Sequence, residues 1–300
     1  MKEVIYSPLV PSSVNVKFIE TFESDKIISN YQKIGIDVER FFDEKGVSLY
    51  ECLETSYRFY YPYSTIGDAA FYEDLSAKRQ NYYSNRWEHG VTLKYLDTTD
   101  SVLEIGSGFG AFLDRLKARD IKSKGLELNP LAVKECVKKG LNVTEKLVQQ
   151  EAKEAINKYS VVCCFQVLEH ITGVNDFIAA SVSLLDKKGR MIIGVPNNNP
   201  YLFINDKFHT LNLPPHHAGL WNGKSLKSLE RVFPLKLISL EFEPLKVSYS
   251  DFLTFHLNNA NCLVRTVLKL SNKLAPNILK KILCKFIKGR NVLAVFEKVS

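Results

Sequence analysis

Val102-Leu-Glu-Ile-Gly-Ser-Gly-Phe-Gly-Ala-Phe112 decides how this chain of 300 residues folds. An apolar run over Ser101–Ile105 ends in glycines at alternate positions, Gly106, Gly108 and Gly110, and a helical pattern over 111–119 follows at once. Strand, glycine turn and helix in that order make a nucleotide-type binding loop, because glycine alone adopts positive φ freely and lets the backbone approach a ligand closely. Two ligand classes fit the loop. Gly106-x-Gly108-x-x-Ala111 satisfies the dinucleotide fingerprint, in which a pyrophosphate rests on a helix N-terminus. Glu104, two residues before the first glycine, argues the other way. A carboxylate there repels a pyrophosphate and suits a ligand with a cationic ammonium group. A glycine-rich turn that binds nothing is the bland alternative.

Working outward, 124–128 reads as a second strand carrying Glu127 in Gly125-Leu-Glu-Leu-Asn-Pro130. An acid about 20 residues after the loop is where a ribose is held, and Pro130 is placed to open a helix over 130–139. Both ligand classes predict that acid. They separate at Val161-Val-Cys-Cys-Phe-Gln-Val-Leu-Glu-His-Ile171, where a buried strand runs straight into Gln166, Glu169 and His170. Further strands are expected at 141–143, 190–195, 235–243 and 291–297, with helices at 147–158, 175–185 and 225–233. This alternation gives an α/β fold with a parallel sheet.

Four ordered blocks carry a resemblance: Glu104-Ile-Gly-Ser-Gly-Phe-Gly110, Gly125 to Pro130, Phe165-Gln-Val-Leu-Glu-His170, and Gly194-Val-Pro-Asn197, with Leu213-Pro-Pro-His-His-Ala-Gly-Leu-Trp221 behind them. Over roughly residues 50–245 the chain resembles class I S-adenosylmethionine-dependent methyltransferases, in the branch with the Phe-Gln-Val-Leu-Glu-His signature often found in bacterial glycan biosynthesis. The resemblance implies a Rossmann-like seven-stranded sheet, mostly parallel with an antiparallel last strand. Residues 246–290 then form an insertion between the last two strands. It also implies S-adenosyl-L-methionine as cofactor. Glu104, Gly106, Gly108 and Gly110 would line the methionine side, Glu127 with Leu128 the ribose, and Gln166 the edge after the fourth strand. Segments before the core cover the cofactor in this family, which suggests a lid role for Tyr83, Arg86 or Trp87.

Methyl transfer from a sulfonium needs an aligned acceptor more than covalent help. A hydroxyl acceptor on a sugar, glycan or small molecule must still lose a proton, and histidines titrate nearest neutrality. His170 follows strand four, and Pro214-Pro-His-His217 presents His216 and His217 on a stiffened turn. These three are the candidate bases; Asn197, Asn198 and Asn199 are candidates for a polyhydroxylated acceptor, and His209 and Trp221 for pocket walls. His89 and His256 read as structural. No metal is expected: related enzymes that hold a divalent ion use Glu-x-x-Glu-His, and Gln166 replaces the first glutamate. An NAD-dependent oxidoreductase and a non-catalytic cofactor-binding module remain the rivals, with tRNA or rRNA methylation behind them.

The organisation expected is an aromatic-rich N-terminal cap over 1–95 and a catalytic domain over 96–300. Six scattered cysteines suit free thiols in a reducing compartment, and no leader or spanning apolar run is seen, which points to a cytoplasmic protein. The net charge of +7 is concentrated in one place. From 252 to 296 there is no Asp or Glu but eight Lys and Arg, interleaved with apolar residues at helical spacing. Packing on the domain or on a second subunit is the bland use of 263–290. Contact with an anionic membrane at its inner face is the sharper one, and nucleic acid is disfavoured for want of nearby aromatics.

Overall fold

The computed structural model describes residues 4–78, 86–198 and 207–299. Tyr82, Tyr83 and Asn199 lie outside the described residues. The strands are β1 (Val16–Phe22), β2 (Val47–Cys52), β3 (Arg58–Tyr61), β4 (Ser101–Ile105), β5 (Lys122–Leu126), β6 (Val143–Thr144), β7 (Tyr159–Phe165), β8 (Leu185–Pro196), β9 (Gly219–Leu220), β10 (Leu235–Pro244) and β11 (Lys288–Lys298). A four-stranded sheet has the order β1-β2-β3-β9, and a seven-stranded sheet the order β10-β11-β8-β7-β4-β5-β6. In the large sheet β4 pairs parallel with β5 and β7, and β7 with β8, while β11 runs antiparallel between β8 and β10. The expected Rossmann-like sheet is therefore present, its one reversed strand the last in sequence. Its central strands read as unbroken apolar runs because helices cover both faces: Val161, Val162, Cys163 and Cys164 are all buried.

β8 and β11 begin earlier than expected, at Leu185 and Lys288, the helix expected at 225–233 is split into Gly223–Lys227 and Leu229–Val232, and two further boundaries differ for local reasons. β5 lies two residues earlier than 124–128, because the Glu127 carboxylate turns back to accept the N–H groups of Leu128 (2.8 Å) and Asn129 (2.9 Å). Asn129 then caps the helix Pro130–Lys138, accepting from Leu131 N at 2.9 Å, with Pro130 in its first turn. The helix expected at 147–158 stops at Glu154, and Asn157 turns the chain into β7 through a left-handed φ of 51°.

The cap is not the N-terminal segment alone. β9 arrives from the long loop after β8, and Leu213 and Leu220 of that loop share a core with Phe22, Ile27, Tyr31 and Phe71. Conversely the short helix Trp87–Thr92 belongs to the large sheet, where Val91 joins the cluster containing Phe112 and Phe165. Leu9, Tyr57, Phe59 and Trp221 belong to the same buried cluster as Val162 and Ile193, so part of the cap shares a core with the sheet. The insertion leaves the sheet at Pro244 and returns at Lys288, residues paired in register. It forms the helices Tyr249–Asn259, Cys262–Leu274 and Pro276–Phe286. Among the described residues, no helix is long and apolar enough to cross a membrane.

Candidate cofactor and acceptor site

The carboxyl ends of β4, β5 and β7, with the cap above them, enclose a cavity of about 910 Å³. The glycine loop forms one wall. Gly106, Gly108 and Gly110 have φ values of 74°, 53° and 81°, in the left-handed region where a side chain is strained. A Cβ on Gly106 would lie 2.4 Å from Val167 Cγ2, and one on Gly110 would lie 2.4 Å from Leu141 Cδ1. Gly106 and Gly108 line the cavity. Gly110 instead sits behind it, as the left-handed residue that opens the helix Ala111–Lys117.

Glu104 decides what the loop can hold. Its side chain is buried at the end of β4, and Oε2 has no hydrogen-bond partner among the described residues. Burial, reinforced by the neighbouring Glu127 charge, holds its carboxyl well above the ordinary glutamate range. An ionised carboxylate in such a place is costly unless a cation pairs with it. The ammonium of S-adenosylmethionine is such a cation, and a pyrophosphate is the opposite, so the residues present fit the former. Glu127 accepts the N–H of Gly108 (2.7 Å) as well as those of Leu128 and Asn129. Three of its four lone-pair positions are thus used in locking loop to strand, and one is left for a ribose hydroxyl. Leu128 lines the same wall and is exposed. Trp87 does not line the cavity; it leans on the core cluster that includes Phe112, and its neighbour Arg86 faces the cavity instead.

Gln166 follows β7 in a left-handed conformation (φ 57°). Its Nε2 donates to Glu88 Oε1 at 2.7 Å and to Asn291 Oδ1 at 3.4 Å, which ties the cofactor edge to the Trp87–Thr92 helix and to β11. Beyond it the three candidate histidines come together. The ring centroids of His170 lie 4.7 Å from His216 and 5.0 Å from His217, and the latter two stack at 4.5 Å. All three line the cavity. The His216 carbonyl lies 2.6 Å from His170 Nδ1 and also accepts the Tyr72 hydroxyl at 2.9 Å. A carbonyl can only accept, so His170 carries its proton on Nδ1 and keeps a lone pair on Nε2. Burial pushes the His170 pKa down to about 4, which keeps that imidazole neutral. Glu169, buried with neither carboxylate oxygen hydrogen-bonded among the described residues, has Oε1 3.9 Å from His170 Nε2, and burial raises its pKa to about 8.

Several contributors are absent from the sequence reading, and some of its suggestions fall elsewhere. Tyr72, Glu88, Arg290 and Asn291 each touch or line the site from an element distant in sequence. For Glu88 the signal was available, in the mixed polar and aromatic run ending at His89. His89 lines the cavity while its ring sits 5.2 Å from both Phe112 and Phe165, and burial drives its pKa down to about 3. Trp221 is a core residue against Tyr57 (4.3 Å) rather than a pocket wall. Asn197 and Asn198 fasten the end of β8 by bonding Arg290 O (2.6 Å) and Trp221 O (2.9 Å) through their N–H groups. His209 accepts Leu211 N in the loop and does not line the cavity.

Residues 78–239 match the family model described as a methyltransferase domain. A ubiquinone biosynthesis O-methyltransferase of Marinobacter nauticus is 28% identical over 171 residues, covering 52% of this chain and 71% of that protein. One from Pseudomonas fluorescens is 29% identical over 110 residues, covering 34% and 47%. The chain spans about half the length of the first curated relatives it matches. Among solved structures, a SAM dependent methyltransferase from Archaeoglobus fulgidus aligns over 70% of this chain and 90% of its own, at 19% identity and a TM-score of 0.48. A protein solved with the Haloferax volcanii Trm112 methyltransferase activator aligns over 78% and 100%, at 11% identity and a TM-score of 0.54, and so shares the fold. The family match runs from Lys78, the last residue of the helix Ala69–Lys78, into β10 and takes in the glycine loop, Glu127 and all three histidines; the chain belongs to the methyltransferase domain family.

Proposed function

We propose that the chain is an S-adenosylmethionine-dependent O-methyltransferase whose acceptor is a hydroxyl on a sugar, a glycan or a small molecule. The observation that carries this is the buried Glu104 carboxyl at the mouth of the glycine loop, built to receive a cationic ammonium and not a phosphate. When bound, S-adenosylmethionine supplies an electrophilic methyl group. This chain's own residues do the rest. Glu104 and the Gly106–Gly108 backbone would hold the amino-acid end, and Glu127 the ribose. Nε2 of His170, which carries no proton in this tautomer, would take the acceptor's proton, with the Tyr72 hydroxyl and the His216 carbonyl beside Nδ1 supporting that role. The curated relatives are named as oxygen methyltransferases, which supports oxygen as the accepting atom. The sugar or glycan preference comes from the family resemblance alone.

Calorimetry with S-adenosylhomocysteine and with NAD tests the cofactor: homocysteine-side binding that Glu104→Ala abolishes is expected, and NAD binding in its place refutes the reading. Methyl transfer to a hydroxyl panel separates an enzyme from a cofactor-binding module. His170→Ala should lower turnover by roughly 10²- to 10⁴-fold with cofactor affinity unchanged, the range a general base supplies.

A specific observation favours a second reading of the acceptor half. One nitrogen from each of His170, His216 and His217 lies within 4.8 Å of the others, and Glu169 Oε1 lies 3.9 Å from His170 Nε2. Three imidazoles and a carboxylate suit a divalent transition metal, even though Gln166 is turned away to Glu88. Turnover that survives thorough chelation, with no Co²⁺ absorption bands on titration, leaves the histidines as base and positioning groups. Loss of turnover restored by a divalent ion makes the cluster a metal centre.

A further inference from the structure

The helices Cys262–Leu274 and Pro276–Phe286 have no buried residue. Leu263, Val267, Leu270 and Leu274 recur at helical spacing along one face of the first, and Ile278, Ile282 and Phe286 along one face of the second. These side chains stand in the open: Leu263 is 76% exposed, Leu274 80%, Ile278 61% and Phe286 76%. The hairpin touches the rest of the molecule through other residues, chiefly Leu283, Cys284 and Ile287 against Leu245 and Phe252. A stripe of this kind, left outside the core, is a surface meant to be covered.

The charges say by what. No acid occurs from 252 to 296. Of the eight basic residues, Arg290 is paired to Asp251 (3.1 Å) and Lys288 sits 3.4 Å over the Phe242 ring. Arg265, Lys269, Lys273, Lys280, Lys281 and Lys285 remain on the hairpin, Lys280 and Lys285 with the Tyr249 and Phe286 rings 5.0 and 5.8 Å away. A second copy of this chain meeting the stripe face to face would cover the apolar residues but leave the cations beside them answered by no acid of the hairpin. A nucleic acid would answer the charge and leave the aliphatic stripe in water. A lipid surface with anionic headgroups answers both, since the apolar face enters the headgroup boundary while the lysines reach the phosphates.

We propose that this hairpin docks the chain on an anionic lipid surface. The topology gives the docking a use. Lys288 leaves the hairpin opposite Pro244, and three residues on Asn291 pairs with Pro196 at the carboxyl end of β8. Arg290 and Asn291 line the cavity, so hairpin and cavity open from the same edge of the sheet. Docking brings the acceptor half of the cavity toward the lipid, where an acceptor carried on a lipid anchor is presented. That consequence rests on the methyltransferase reading; the docking itself does not.

The test is flotation of the full chain with vesicles of phosphatidylcholine alone and of phosphatidylcholine with phosphatidylglycerol, at low and high salt. Binding to the anionic vesicles only, weakened by salt, is expected. The triple change Lys273→Ala, Lys281→Ala and Lys285→Ala should weaken partitioning roughly a hundredfold. Leu274→Ser with Phe286→Ser should abolish it while circular dichroism stays unchanged. Equal binding to neutral vesicles, or no flotation at low salt, overturns the proposal. So does a dimer in sedimentation that Leu274→Ser with Phe286→Ser dissolves, because a second copy then covers the stripe. Homocysteine-side calorimetry on the same variants keeps the two readings apart: cofactor binding without flotation sinks only the docking, and flotation without cofactor binding sinks only the function.

Discussion

Gly106→Ala adds one methyl group to the glycine loop and should disable it, and the size of the effect can be worked from two separate causes. The first is conformational. Gly106 has a φ of 74°, and placing an L-residue there costs about 1–2 kcal/mol. The second is steric. The new Cβ would meet Val167 Cγ2 at 2.4 Å, where carbon atoms rest comfortably at about 3.5–4.0 Å. Val167 cannot swing away cheaply, because its branched Cβ restricts χ1 and the backbone before it is already fixed by the left-handed Gln166. Overpacking of this kind costs about 1–3 kcal/mol. The sum is about 2–5 kcal/mol, and at about 2 °C per kcal/mol for a chain of this size the melting temperature should fall by roughly 4–10 °C. Affinity for S-adenosylhomocysteine should fall at least about tenfold, since the carbonyls and N–H groups of the cavity wall move with the loop. The double variant Gly106→Ala with Val167→Ala divides the two causes. It should recover the steric part and keep the conformational part, a favourable coupling of about 1–3 kcal/mol against the sum of the single changes. Wild-type melting and affinity in Gly106→Ala, or strict additivity in the double variant, refutes the account.

Glu104 predicts a pH dependence of binding. Its carboxyl is held above the ordinary range in the ligand-free protein, and an ammonium partner lowers it, so binding releases a proton and affinity should rise with pH until the ligand-free carboxyl has ionised. By the same linkage the ligand-free fold binds more protons than the unfolded chain, so this residue's stabilisation is full below the ordinary glutamate pKa and is lost as pH rises through the raised one. Glu104→Gln should flatten both profiles in calorimetry and thermal melts, and unchanged slopes would remove Glu104 from the cofactor argument. Asn129→Ala removes the side-chain cap of the helix Pro130–Lys138 and should cost about 1 kcal/mol in chemical denaturation; no loss would mean that Glu127 and Pro130 hold the turn alone.

The part of this molecule that was legible in the sequence is the part whose physics is local. A positive-φ turn after an apolar strand can be read from glycines at 106, 108 and 110, and a helix start from Asn129-Pro130, because each is settled within a few residues. The parallel character of the sheet followed from the same local alternation, since parallel strands need crossover connections, whereas its antiparallel last strand came from the family resemblance. Boundaries failed where a side chain reached along the backbone: Glu127 looks like the end of a strand and instead turns on the N–H groups after it, closing β5 at Leu126. Asn197, Asn198 and Trp221 looked like ligand contacts because they are polar or aromatic beside a motif, yet none of them lines the cavity, and the amide nitrogens of both asparagines donate to carbonyls of the chain itself. Tyr72 shows the converse. Nothing in a ring on a cap helix announces that its hydroxyl will bond a carbonyl 144 residues later.

The two ends of the cavity differ in how tightly the fold has committed to them. At the Glu104 end two side chains tie the elements together, with one Glu104 oxygen left over: Glu127 accepts the N–H groups of Gly108 and Asn129, and Gln166 Nε2 donates to Glu88, each bond within 2.9 Å. Such a network is rigid before any ligand arrives, and it suits a cofactor that is the same in every turnover. At the histidine end Glu169 is buried without a hydrogen bond among the described residues, and the wall is completed by a loop that also supplies β9 to the cap sheet. A buried carboxyl left without a hydrogen bond costs about 1–3 kcal/mol or more in the ligand-free state. A ligand that donates to Glu169 would relieve that cost. Substrate identity should therefore be sought at Glu169, His170 and the 216–217 pair, and changes there should alter acceptor use far more than cofactor affinity.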